Sequence, residues 1–136
     1  MASLAATEQR AAGAKGVVTL ARDDDGAIVC ERCRVADTMF ARMRGLLGRR
    51  ELASGEGLLI RPAPSVHTFF MRFPIDVVFL NRDGEVLKVC EDVRPWRAAA
   101  ARRAHSTLEL PSGEARSRGI AVGQRIVVHV DPGREA

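Results

Sequence analysis

Two Asp-Gly turns set the first constraint on this chain. Asp23-Asp24-Asp25-Gly26 follows the β-prone run Val17–Arg22 and precedes a second such run over residues 27–35. Asn81-Arg82-Asp83-Gly84 likewise separates Ile75–Leu80 from residues 85–90. Glycine accepts the positive φ that a tight reversal demands, so an Asp-Gly pair between two extended runs predicts a β-hairpin. Two hairpins commit much of the chain to antiparallel pairing.

The remaining segments fit that start. Residues 57–61 read as a buried strand interrupted by Pro62 and Pro64, residues 67–72 as another, and Pro74 breaks the latter from Ile75–Leu80 because proline cannot donate to a ladder. Short strands are expected at residues 107–110 and 124–130, with a short helix or turn at residues 112–118. Residues 92–103, with Pro95 and Trp96, read as a long surface loop. One helix is expected near residues 38–47, capped by Asp37 or Thr38 and ended by Gly48. There Met39, Phe40, Met43, Leu46 and Leu47 recur at helical spacing, a face read as core first and partner groove second. The fold class is therefore mainly β, α+β at the margin: a compact antiparallel barrel-like or sandwich domain with one or two short helices.

A length of 136 residues suits one domain. The expected organisation is a flexible N-terminal tail over residues 1–15, a globular domain over residues 16–131 and a C-terminal tail over residues 132–136. No apolar run approaches the roughly 20 residues of a membrane span. The alanine-rich start lacks the pattern of a secretory signal, which points to a soluble, cytoplasmic protein with reduced thiols. The net charge is +4, and of 21 basic residues only Lys15 and Lys88 are lysine. Arginines cluster in residues 32–50 and again at Arg94, Arg97, Arg102 and Arg103. Such clusters attract anions or acidic partners, although a solvated surface is the commoner meaning of a charge run.

Three motifs occur in order: Arg44-Gly45-Leu46-Leu47-Gly48-Arg49, then His67-Thr68-Phe69-Phe70-Met71-Arg72-Phe73-Pro74-Ile75-Asp76, then Leu108-Glu109-Leu110-Pro111-Ser112-Gly113. From about Val29 to Val130 the chain resembles the bacterial and archaeal family called domain of unknown function 192. The resemblance implies a small, mostly antiparallel β fold and no settled activity, so it brings no catalytic residues. The positions most characteristic of the motifs are Arg44, Gly45, Met71, Pro74 and Asp76.

Asp76 stands between Ile75 and Val77 in an apolar strand, where an unpaired carboxylate would cost several kcal/mol. It needs a partner, and Arg72, Arg44 and His67 are the candidates. One reading makes Arg44, His67, Met71, Arg72 and Asp76 the lining of a polar site, with acid–base or anion-binding capacity. The preferred reading has Asp76 accept backbone or arginine hydrogen bonds and fix a turn near Pro74. Cys30 and Cys33 have the spacing of a zinc half-site, but residues three apart on a regular strand face opposite ways, so no metal is assigned. No cofactor is assigned either. Trp96 and Arg97 are candidate partner contacts, although a tryptophan in such a loop more often folds back over the core. With few aromatics and no glycine-rich phosphate loop, specific nucleic-acid recognition is not expected. The leading expectation is a small non-enzymatic binding or accessory module for an anionic ligand or a protein partner. The alternatives are a small enzyme acting on an anionic substrate through a His/Asp/Arg cluster, and nonspecific nucleic-acid binding through the arginines.

Overall fold

The computed structural model describes residues 16–36, 51–68 and 71–129. Both predicted hairpins form. Strands β1 (Val17–Arg22) and β2 (Ile28–Ala36) pair antiparallel across the first turn, with Gly26 at φ 74°. Strands β5 (Ile75–Leu80) and β6 (Val86–Val93) pair across the second, with Gly84 at φ 86°. There the side-chain oxygen of Asn81 accepts the N–H groups of Asp83 and Glu85, which replaces ladder bonds at the tip.

Strands β3 (Glu56–Ile60), β8 (Ser106–Pro111) and β9 (Ile126–Val128) complete a seven-stranded sheet in the order β6-β5-β8-β3-β2-β1-β9. Its pairs are antiparallel except β2 with β3. A parallel pair needs a long crossover, which the nineteen-odd residues between the two strands supply. The sheet does not close into a barrel. Among the described residues its edges are bridged at one end, where Glu85 pairs with Arg125 and the N–H of Ile126 donates to the carbonyl of Gly84 at 2.8 Å. The chain is thus mainly β, with one short helix, α1 (Glu114–Ser117), among the described residues.

Each face of the sheet carries an apolar cluster. Leu20, Val29, Val78, Leu80, Leu108 and Leu110 pack on one side, where Ala115 of α1 and Ile120 cover them. Leu58, Ile60, Ile75, Val77 and Phe79 pack on the other. A small sheet of β4 (Ser65–His67) and β7 (Ala98–Ala100) covers that side, with Val66, Met71, Phe73 and Ala99 beneath it. The alternation along β5 explains the division: Ile75, Val77 and Phe79 point one way, Asp76, Val78 and Leu80 the other.

Three expectations need correction. Of the strand expected over residues 67–72, His67 alone among the described residues lies in a strand, β4 over Ser65–His67, and the Thr68 carbonyl accepts the N–H of Met71 at 3.2 Å. The loop expected over residues 92–103 contains β7. Cys30 and Cys33 do not face opposite ways: β2 spends three residues against two of β1 between the pairs Leu20–Cys30 and Val18–Cys33, a bulge that turns both thiols into one core. The helix expected near residues 38–47, and Arg44 with it, lies outside the described residues.

A histidine and a glutamate are among the ionisable groups that link this fold to acid. Burial, then the charges of Arg82 and Arg61, hold the His105 imidazole below its ordinary 6.5. The hydrogen bonds of Arg118, at 2.7 and 2.9 Å, hold the Glu31 carboxyl below its ordinary 4.5. Below pH 6.5 the unfolded chain takes up the His105 proton before the folded one does, so stability falls there as pH drops. The Glu31 contribution is present above pH 4.5 and is lost as pH falls through the lowered folded value. The melting temperature should therefore decline in two stages on acidification. His105→Gln should remove the upper stage, and Glu31→Gln should shrink the lower, to which Asp25, held low by the Ala27 N–H and Arg22, also contributes.

Candidate functional site

The chemistry-bearing residues gather around the connection from β6 to β7. Its first anchor is Asp76, fully buried on β5. Oδ1 accepts the N–H of Asp92 at 2.8 Å, and Oδ2 accepts those of Gly113 at 3.0 Å and Ala115 at 2.9 Å. Helix α1 begins at Gly113, in the left-handed region at φ 91°, and Gly113 has no side chain with which to cap it. A carboxylate from a strand nearly forty residues away therefore satisfies donors that a helix start leaves open, and its negative charge suits that end of the helix. Asp92 in turn accepts the hydroxyl hydrogen of Ser112 at 2.7 Å. The second and third sequence motifs are thus joined through one side chain.

Arg72, Arg44 and His67 were the side-chain candidates to partner Asp76, beside the backbone donors of the preferred reading. Its hydrogen bonds among the described residues go to backbone N–H groups, because Asp76 faces the α1 side of the sheet while Met71 and Phe73 pack on the other. The turn it fixes is at Gly113, not near Pro74. Arg72 is exposed, His67 is half-buried on β4, and Met71 is buried in the apolar cluster of that second side.

The second anchor is Thr68, which the sequence reading passed over and which is also fully buried. Its hydroxyl oxygen lies 2.6 Å from the Arg94 carbonyl and accepts the Arg97 N–H at 2.9 Å. Its backbone N–H donates to the Arg97 carbonyl at 2.8 Å, and its carbonyl accepts the Trp96 N–H at 3.1 Å. One threonine thus clamps the four-residue turn Arg94-Pro95-Trp96-Arg97 through side chain and backbone together. Trp96 sits at φ 64°, a region that costs a bulky residue on the order of 1–3 kcal/mol and persists only where its surroundings enforce it. The indole does not fold back over the core as expected; the residue remains 56% exposed, with Arg94 and Arg97 exposed beside it. Thr68→Val should cost roughly 1–2 kcal/mol through the lost hydroxyl contacts. It should also speed the decay of tryptophan fluorescence anisotropy, which in this chain reports Trp96 alone because no other tryptophan is present.

Glu109 was also passed over. It is fully buried on β8, opposite Leu58 on one side and Val77 on the other. Its position between two leucines in the third motif was the available signal: strict alternation puts it on the face opposite Leu108 and Leu110. Among the described residues no His, Cys, Asp and Glu side chains gather in a set that would hold a metal ion. None of the helices among them is long and apolar enough to cross a membrane.

The family profile of domain of unknown function 192 (DUF192), described as uncharacterized ACR, matches residues 19–128. The chain belongs to this family. Among DUF192 relatives, a UPF0127 protein of Thermococcus sibiricus is 31% identical over 116 residues, spanning 82% of this chain and 75% of that protein. A UPF0127 protein of Pyrococcus furiosus is 36% identical over 97 residues, spanning 68% of this chain and 83% of that one. The fold is also similar to the crystal structure of a protein of unknown function from Novosphingobium aromaticivorans, at a TM-score of 0.70 and 23% identity, covering 81% and 84% of the two chains. At that identity the likeness shows the fold alone. The DUF192 relatives are themselves uncharacterised, so a functional reading has to come from the site.

Proposed function

We propose that this DUF192 protein is a non-enzymatic binding or accessory module that presents the Trp96 turn to an anionic ligand or protein partner. The observation that carries the reading is an exposed tryptophan held in a left-handed conformation by a buried threonine. Surface loops without a task have no need of strain enforced from below, and strained residues concentrate where a side chain must be aimed. A rigid aromatic next to arginine is also the composition of an interface anchor. The basic balance of the turn suits a negatively charged partner. The acid–base alternative is weakened by the geometry of Asp76, whose two oxygens are both engaged by backbone donors.

The test combines thermal melts with tryptophan emission across a panel of metabolites, nucleotides, oligosaccharides and peptides. A ligand that binds only the folded state raises the melting temperature with concentration. If the turn is the contact surface, that ligand also shifts the Trp96 emission to shorter wavelength, and Arg97→Ala weakens it. A stabilising ligand that leaves the emission unchanged would place the site elsewhere and sink this reading.

A further inference from the structure

Among the described residues, the strand beside the Trp96 turn pairs on one edge only. Within the β4–β7 ladder, the Ala101 N–H donates to the Pro64 carbonyl at 3.0 Å and the Thr68 N–H to the Arg97 carbonyl at 2.8 Å. In an antiparallel pair, hydrogen-bonded and non-hydrogen-bonded positions alternate, so these bonds fix the phase: residues 97, 99 and 101 turn their backbone groups toward β4, and Ala98 and Ala100 turn theirs away. Both alanines are exposed. On that outer side, the Ala100 carbonyl accepts Lys88 Nζ at 2.9 Å. Among the described residues, the N–H and C=O of Ala98 and the N–H of Ala100 remain as a short template beginning two residues after Trp96.

We infer that the Trp96 turn and the outer edge of β7 form one docking surface for an extended, acidic segment of a partner protein, which adds to β7 as a strand. The inference rests on the reading of the Trp96 turn as a contact surface and specifies its occupant. Alanine side chains leave room for a second backbone to approach, and main-chain pairing with an exposed edge is a recurrent mode of peptide capture. Charge selects the sign of the segment. Arg94, Arg97, Arg102 and Arg103 are exposed in residues 93–105, which contain no acid, and exposed Lys88 lies against the same edge. A nucleic acid has no backbone to complement the strand template, and single strands are held by successive stacking platforms. The exposed large apolar residues among those described are Val17, Trp96 and Val122, and an apolar face of the kind that buries in a lipid interface is not among them.

The test titrates the full chain with a blocked octapeptide of alternating glutamate and threonine. Trp96 emission and the amide resonances of Ala98 and Ala100 are followed together. Saturable binding that shifts all three signals is expected. Binding should weaken at least tenfold for the same peptide N-methylated at alternate residues and for the Arg94→Glu/Arg97→Glu variant. A lysine–threonine peptide should not bind. Absence of saturable binding by the acidic peptide overturns the inference. Equal affinity for the N-methylated peptide overturns strand addition while leaving the Trp96 turn as the contact surface. Peptide binding that moves neither Trp96 nor the two alanines removes both readings. Binding of a dodecathymidylate, or of phosphatidylserine vesicles, in preference to the peptide would replace the acidic segment with that class of partner.

Discussion

Asp76→Ala is expected to lower the melting temperature by roughly 10 °C or more, on an estimate of about 3 kcal/mol for the lost hydrogen bonds and the usual few degrees per kcal/mol for a domain of this size. The substitution strands three N–H groups at once. That of Ala115 is the most costly, because Ala115 is fully buried and water cannot replace the carboxylate there. Asp92 and Gly113 are exposed residues and recover part of their loss from solvent. Asp76→Asn separates charge from shape. The amide keeps one acceptor oxygen but presents N–H groups to donors that need an acceptor, so its destabilisation should approach that of alanine. Hydrogen exchange provides a local check: the Gly113 and Ala115 amides should lose protection while the β2–β3 ladder keeps its own. An Asn variant that melts with the wild type would refute the capping role. It would return Asp76 to the list of candidate ligand-binding groups, since a site carboxylate is dispensable for folding where a capping one is not.

The same side chain shows how far the sequence could be read. A carboxylate between Ile75 and Val77 announced that a partner was required, and two Asp-Gly turns announced both hairpins, because these signals are local: they depend on one residue's cost of burial or on one dihedral. Which groups meet Asp76 depends on the faces to which β5 and α1 commit, and that is set by contacts nearly forty residues apart. Arg72 and His67, which share a motif with Asp76, do not meet it for that reason, and the backbone donors of the preferred reading do. Trp96 was legible as a residue type in a basic loop. Its exposure was not, since it follows from Thr68, whose contribution is a hydroxyl and a main-chain clamp with no periodicity to betray it. The cysteines were misread because the regular two-residue alternation of a strand fails at a bulge, and nothing in Glu31-Arg32 marks one. The parallel β2–β3 pair escaped for a related reason: strand propensity says nothing about direction, and the helix expected near residues 38–47 does not by itself mark the connection as a crossover.

Gly57→Ala should destabilise the chain by roughly 2–3 kcal/mol, the upper part of the usual range for forcing extra atoms into a filled core. Gly57 lies on β3, whose neighbours are parallel β2 and antiparallel β8, and a methyl group there would sit 2.7 Å from Cys30 Sγ, 3.1 Å from the Glu109 carbonyl oxygen and 3.1 Å from Leu110 Cδ2. The sulfur contact is far inside van der Waals distance. Cys30 has little room to withdraw, being fully buried, with its thiol placed 3.5 Å from the Gly55 carbonyl. Backbone conformation is not the obstacle, since Gly57 is not among the glycines at positive φ. The clash is therefore specific and should be relieved from the other side. Cys30→Ala alone should cost roughly 1 kcal/mol for the small cavity it opens. In the Gly57→Ala/Cys30→Ala double variant the new methyl occupies space the sulfur has left, so the two losses should fail to add by roughly 1 kcal/mol or more in a urea-denaturation cycle. The residual deficit then measures the Glu109 carbonyl and Leu110 contacts, which the second substitution does not touch. Simple additivity would mean that β3 shifts as a whole to absorb the methyl, and the strain would then have to appear in the ladder to β8.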